Sequence, residues 1–147
     1  MTAEFKKYFL VSVYVPNSGD MLQRLGYRVK EWDADFHSYI ANLEVKHQKP
    51  VIVVGDFNVC HTDLDYYGPA GPMNSSTLTA EEKNSFSAFL KNAKLIDAFR
   101  YLHPNLRKYS YWSVLRKLRA KDMGLRLDYA LVSESMIDSV DKAEVCG

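Results

Sequence analysis

Apolar residues fall along this chain in two rhythms, and the changes from one to the other divide it into elements. In KKYFLVSVYVP, residues 6–16, β-branched and aromatic side chains occupy both parities. That is the pattern of a strand covered on both faces, and Pro16, which cannot donate to a ladder, ends it. Leu22, Leu25, Val29, Trp32, Phe36, Ile40 and Leu43 then recur at steps of three and four. This spacing predicts an amphipathic helix, with Gly26 moving its start toward Tyr27. After Pro50, VIVVGD reads as a second buried strand. Strand, helix and strand with crossover length between them predict a βαβ unit and an α/β fold.

Further on, glycine, proline and asparagine in YYGPAGPMNSS predict a loop over 66–76. Thr79 and Glu82 make a capping box ahead of Phe86, Phe89 and Leu90, hence a second helix. LIDAF, YSYWSVL and RLDYALVS are three further strand candidates, with a basic link, Arg116 to Lys121, before the last. The first strand begins close to Met1 and the last stops near Gly147, leaving sheet edges that complete domains normally protect. The expectation is a piece of a larger fold, able to self-associate or to pair with a complementary segment through those edges.

Composition narrows the function classes. At 147 residues the chain has the size of one domain, and 47% hydrophobic with 25% charged residues argues against disorder. A net charge of +1 provides no broad positive field, so a nucleic acid would be held by local contacts. Cys60 and Cys146 have no metal-like spacing and read as reduced thiols of an intracellular protein. No apolar run is long enough to span a membrane, and Asn74-Ser75-Ser76 reads as a chance glycosylation sequon.

Asp56 and Asn58 follow the greasy run of residues 51–54 and, in an extended chain, would face one pocket at the strand's carboxyl end. A carboxylate there can take a proton from water or ligate a hard cation, and the amide can orient that water. Gly-Asp-x-Asn is equally good turn chemistry, so both readings stand. Asp128 shares a strand face with Ala130 and Val132. If that face is covered, an ionised Asp128 needs a partner, either a histidine or backbone amides. His37, His47, His61 and His103 are available, and none occupies an obvious partner position. Tyr14 and Asn17 end the first strand in common turn chemistry. Tyr111 and Trp112 could stack on a base, with core packing the competing reading.

Taken in order, YVPNSG, VVGDFNV and YWSVLRKLRAKDMGLRLDY resemble the exonuclease III class of apurinic/apyrimidinic endonucleases, within the endonuclease/exonuclease/phosphatase superfamily. The Cys-Asp-Arg motif expected of inositol phosphatase members is missing from GLRLDYAL. The resemblance implies part of a two-sheet α/β sandwich with outer helices, DNase I-like. It implies base excision repair chemistry as well: hydrolysis 5′ to an abasic site in double-stranded DNA, assisted by Mg²⁺ or Mn²⁺, with 3′-exonuclease action in the intact parent. By the same resemblance Asp56 orients or deprotonates the attacking water, Asn58 holds that water or the phosphate, and the two form a secondary metal position. Tyr14 and Asn17 contact the scissile phosphate, and Asp128 orients a catalytic histidine. Tyr111, Leu125 and Leu127 line a pocket for the flipped-out abasic sugar, and Asn74 contacts the DNA backbone. Leu125 stands where the family often has tryptophan, and Asp20 where some relatives insert arginine into the stack.

The family's main metal acid lies before the first strand seen here, and its closing Ser-Asp-His motif after Gly147. Residues 1–147 are therefore expected to be a partial domain with little nuclease activity alone, from a protein that is nuclear in a eukaryote and cytoplasmic otherwise. Two other readings remain: a different phosphoesterase branch of the superfamily, and a catalytically dead module that only holds DNA.

Overall fold

The computed structural model, which describes residues 1–69, 71 and 73–146, forms a mixed five-stranded sheet in the order β1-β2-β3-β5-β4. The strands are β1 (Thr2–Glu4), β2 (Phe9–Tyr14), β3 (Val51–Asp56), β4 (Leu95–Asp97) and β5 (Asp128–Ser133). β2 and β3 run parallel, as the predicted crossover requires, with Tyr14 opposite Asp56. β5 lies antiparallel to β3, with Asp128 opposite Asp56, and to β4. β1 is an antiparallel edge strand that the hydrophobic pattern does not announce, because three residues are too few to show a period.

The crossover is one helical stretch of three parts: α1 (Leu25–Tyr27), a π-helical segment Arg28–Trp32, and α2 (Asp33–His47). Leu22, counted in the helical repeat, lies outside it with φ 57°. The face toward the sheet carries Phe36 and Ile40, which join Val11, Val51, Val53, Leu131, Phe86 and Phe89 in the main core. The capping box that opens α3 (Ala80–Asn92) is present, Thr79 accepting from the Glu82 amide at 3.2 Å.

Two of the strand expectations change. In LIDAF only Leu95–Asp97 is strand; Asp97 then caps α4 (Ala98–Leu102) through the Arg100 amide at 3.1 Å. YSYWSVL is not a strand. Tyr111 makes a lone bridge to Leu125, and the chain then turns through a 3₁₀ segment at Arg119–Lys121. Tyr109 and Trp112 pack edge to face there, with ring centroids 6.4 Å apart, while Val114 and Leu115 stand exposed instead of joining a ladder, an override to which strand propensity is prone. On the sheet's second face Val132 packs with Ala98 and Ile137, the latter from a 3₁₀ segment at Glu134–Ser139.

Candidate functional site

Gly55 is where the site begins. Its φ is 140°, and a β-carbon there would come within 1.9 Å of the Val13 carbonyl oxygen, so only glycine allows β2 and β3 to pair at this height. The next residue, Asp56, ends β3 half-buried. Extended alternation was expected to bring Asn58 to the same side, but the backbone does otherwise: Asn58 has φ 47°, in the left-handed region that asparagine tolerates. The two residues meet through a turn. The Asn58 amide N–H donates to Asp56 Oδ1 at 2.8 Å, and Asn58 Nδ2 reaches Asp56 Oδ2 at 3.4 Å. Turn and polar cluster are thus one structure.

Asn58 is 4% exposed and its side chain is used at both ends. Nδ2 donates to the Val15 carbonyl at 2.9 Å, and Oδ1 accepts from Asn17 Nδ2 at 2.9 Å. Asn17 Oδ1 accepts from the Gly19 amide at 2.8 Å and from Ser76 Oγ at 2.7 Å. Tyr14, opposite Asp56 in the ladder, is 66% exposed. Asp56, Asn58, Asn17, Tyr14 and Asp128 therefore share one end of the central strands.

Burial raises the pKa of Asp56 above its ordinary 3.8, opposed by the Asn58 N–H, raised further by the neighbouring charge of Asp128, and lowered by Arg28. Asp128 itself is exposed. Water can therefore solvate it, and burial does not oblige it to take a histidine partner. Each of the four histidines packs against a phenylalanine instead: His37 on Phe89, His47 on Phe9, His61 on Phe86 and His103 on Phe99.

Asp128 is held by its backbone. Ser110 Oγ accepts from the amides of Leu127 and Asp128 at 3.0 and 3.1 Å. Beside it Arg126 turns inward, donating to Asp65 Oδ1 at 2.8 Å and Asp97 Oδ2 at 2.7 Å and stacking 4.3 Å from the Tyr129 ring centroid. Burial acts to raise the Asp65 pKa, but the hydrogen bond and charge of Arg126 outweigh it and the net direction is down.

A cleft of about 510 Å³ adjoins this end and is lined by Tyr66, Tyr111, Leu125, Ser76 and Asp20 among others. Leu127 lies beneath it, packed with Cys60 and Leu78, so it supports the wall without facing the opening. Asn74 is exposed on the loop at the cleft's edge. Ser76 and Ser110 escaped the sequence reading, since single serines in loops carry no spacing signal.

As cation ligands the described residues offer hard oxygens. Asp56 Oδ2 has only the long 3.4 Å contact, and Asn58 Oδ1 keeps a lone pair beyond its bond to Asn17. Among the described residues no three His, Cys, Asp or Glu side chains converge on one point. This donor set suits a position completed by water and phosphate oxygens, as Mg²⁺ often accepts. No helix among the described residues is long and apolar enough to cross a membrane.

A profile of the Endonuclease/Exonuclease/phosphatase family matches residues 5–142. A DNA-(apurinic or apyrimidinic site) endonuclease from Dictyostelium discoideum is 42% identical over 95% of this chain and 38% of its own length. An exodeoxyribonuclease from Bacillus subtilis is 38% identical over 99% of this chain and 56% of its own. The crystal structure of AP endonuclease LMAP from Leishmania major superposes with a TM-score of 0.82 at 33% identity, covering 89% of this chain and 43% of that one. The chain spans roughly half the length of these relatives.

Proposed function

This chain belongs to the endonuclease/exonuclease/phosphatase family, and from that premise we propose that it forms part of a DNA-repair nuclease hydrolysing the phosphodiester 5′ to an abasic site. The observation that carries the reading is the joined cluster of Asp56, Asn58 and Asn17 beneath exposed Tyr14 and beside Asp128. Likeness to proteins named as abasic-site endonucleases supports the substrate class.

Each side chain has a task its bonds allow. Asp56, its pKa raised by burial, accepts the proton of the attacking water. Asn58 cannot swing, because both ends of its amide are held, so it fixes the carboxylate that faces that water. Asn17 and Tyr14 meet the phosphate, and Asp128 orients a catalytic histidine that the rest of the domain would supply. Tyr111 and Leu125 receive the extruded sugar, with Leu127 as backing; Asn74 meets the DNA backbone. Asp56 and Asn58 would hold a Mg²⁺ or Mn²⁺ ion, which supplies charge neutralisation at the phosphate. A repair role would put the protein with DNA, in the nucleus if the cell is eukaryotic and in the cytoplasm otherwise.

The test is an end-labelled duplex with one abasic site and Mg²⁺. Protein carrying this chain together with the rest of its domain is expected to leave a single product ending at the lesion's 5′ side. The 147-residue chain alone is expected to turn over little, because the catalytic group that Asp128 would orient is proposed to come from the rest of the domain. Retention of abasic duplex in a chelator, with no incision by either form, would instead favour a binding module. Incision at undamaged positions alone would favour another phosphoesterase branch.

A further inference from the structure

Arg28 carries a full charge at 2% exposure, and no step proposed above uses it. It opens the π-helical segment, a helix type that occurs often at functional sites. Its guanidinium does not point into helix packing. Nη2 donates to the Phe57 carbonyl at 2.7 Å, and Nη1 to the carbonyls of Asn58 at 2.8 Å and Pro16 at 3.3 Å. Those three oxygens belong to two irregular loops, one following β2 and one following β3. Buried carbonyls outside regular structure need a donor, and the rigid fork of an arginine can serve several at once.

The charge is balanced from the other side. Glu82 Oε1 lies 3.6 Å from Nη1 and Asp33 Oδ1 3.6 Å from Nε, both carboxylates being buried. Glu82 is tied in turn to the first loop, accepting from Ser18 Oγ at 2.5 Å, and to the start of α3 through Thr79 Oγ1 at 2.8 Å. Asp33 accepts from Ser85 Oγ at 2.6 Å. Nε has no hydrogen-bond partner among the described atoms, Asp33 Oδ1 facing it at 3.6 Å, so the bonds of the guanidinium go to the loop carbonyls through Nη1 and Nη2. What it does hold is the spacing between the loop bearing Asn17 and the loop bearing Asn58.

We propose that Arg28 is a positioning residue: through the Pro16, Phe57 and Asn58 carbonyls it sets the two loops so that Asn17 and Asn58 meet and the polar cluster keeps its shape. Its relevance to catalysis rests on the nuclease reading; its effect on the loops does not. Lysine retains the charge but carries its three N–H donors on one nitrogen, without the spread of the guanidinium fork, so it cannot reproduce the bonds that Nη1 and Nη2 make to both loops.

The test uses Arg28→Lys, with Ile40→Ala as a control that loosens the core from α2. In nitrogen-15 spectra the side-chain amide signals of Asn17 and Asn58 are expected to shift in Arg28→Lys, and the Asn58 amide protons to exchange about tenfold faster. Ile40→Ala, at a similar fall in melting temperature, is expected to leave both signals in place. Should Arg28→Lys not fold, Glu82→Gln weakens the same clamp and is expected to shift the same two signals in smaller measure. In the cleavage assay Arg28→Lys is expected to lower kcat while KM stays within about twofold. Asn17 and Asn58 signals that respond no more than in Ile40→Ala would overturn the proposal. Signals that move as expected in a protein that never incises abasic DNA would leave the clamp standing and remove the nuclease reading.

Discussion

Asn17 donates from Nδ2 to Oδ1 of Asn58 at 2.9 Å, joining two loops whose residues stand 41 positions apart. Neither loop has regular structure at this point, so the bond and its neighbours define the shape of the strand ends. Truncating Asn58 leaves the Val15 carbonyl and the Asn17 amide unpaired. Asn58→Ala is expected to cost about 1–3 kcal/mol in denaturant unfolding, the range for stranded buried polar groups. Asn58→Asp should cost more above the carboxylate pKa, since it sets a second charge against Asp56. A variant as stable as wild type would show that the cluster is slack.

Gly55 offers a sharper test of the frame. Any β-carbon there meets the Val13 oxygen at 1.9 Å, in a backbone conformation with φ 140°. Gly55→Ala is expected to destabilise by more than about 3 kcal/mol, because strain and a backbone clash add and neither β2 nor β3 can yield without losing the ladder. Thermal unfolding measures it. A small loss would mean that the two strands do not pair in this register.

The pH dependence follows from the raised pKa of Asp56. Its native carboxyl binds a proton more tightly than the unfolded one, so this group makes the native state gain stability as pH falls through the native value toward 3.8. Above that window the ionised form opposes folding. Asp128→Asn removes the charge opposite Asp56 and is expected to move the Asp56 titration, followed by carboxyl carbon NMR, to lower pH. An unmoved titration would show that the two carboxylates do not interact.

Asp65 behaves in the opposite sense. Its pKa is lowered, the bonds from Arg126 and Arg100 exceeding the effect of burial. The stability it contributes is therefore present above 3.8 and lost as pH falls below that value, through the native pKa. Among the described residues, Asp65→Asn leaves the guanidinium of Arg126 with only Asp97 as a charged partner, and is expected to cost about 3–5 kcal/mol at neutral pH, the range for breaking a buried pair. Urea unfolding at pH 7 and at pH 3 checks both statements: the penalty should shrink in acid.

The β2–helix–β3 unit was legible because its apolar periods are long, and the α3 start because a capping box is local chemistry. Asp56, Asn58 and Asp128 stand out as polar residues at the ends of apolar strands. What brings Asp56 and Asn58 together was not legible, since left-handed asparagine and extended alternation produce the same sequence string. YSYWSVL misled because aromatic residues that pack into loops look like those of a strand. Arg28 was hidden inside a helical repeat, where arginine ordinarily reads as a solvated position. Only the packing shows that it turns inward to backbone carbonyls.

As proposed above, Asp56 handles the water attacking a phosphodiester. Single-turnover incision of an abasic duplex in Mg²⁺, comparing wild type with Asp56→Asn in protein carrying the whole domain, measures it most directly. A rate loss of about 10²–10⁴-fold is expected, the usual contribution of a positioned base, with DNA affinity changed little. Incision by Asp56→Asn at the wild-type rate would contradict it.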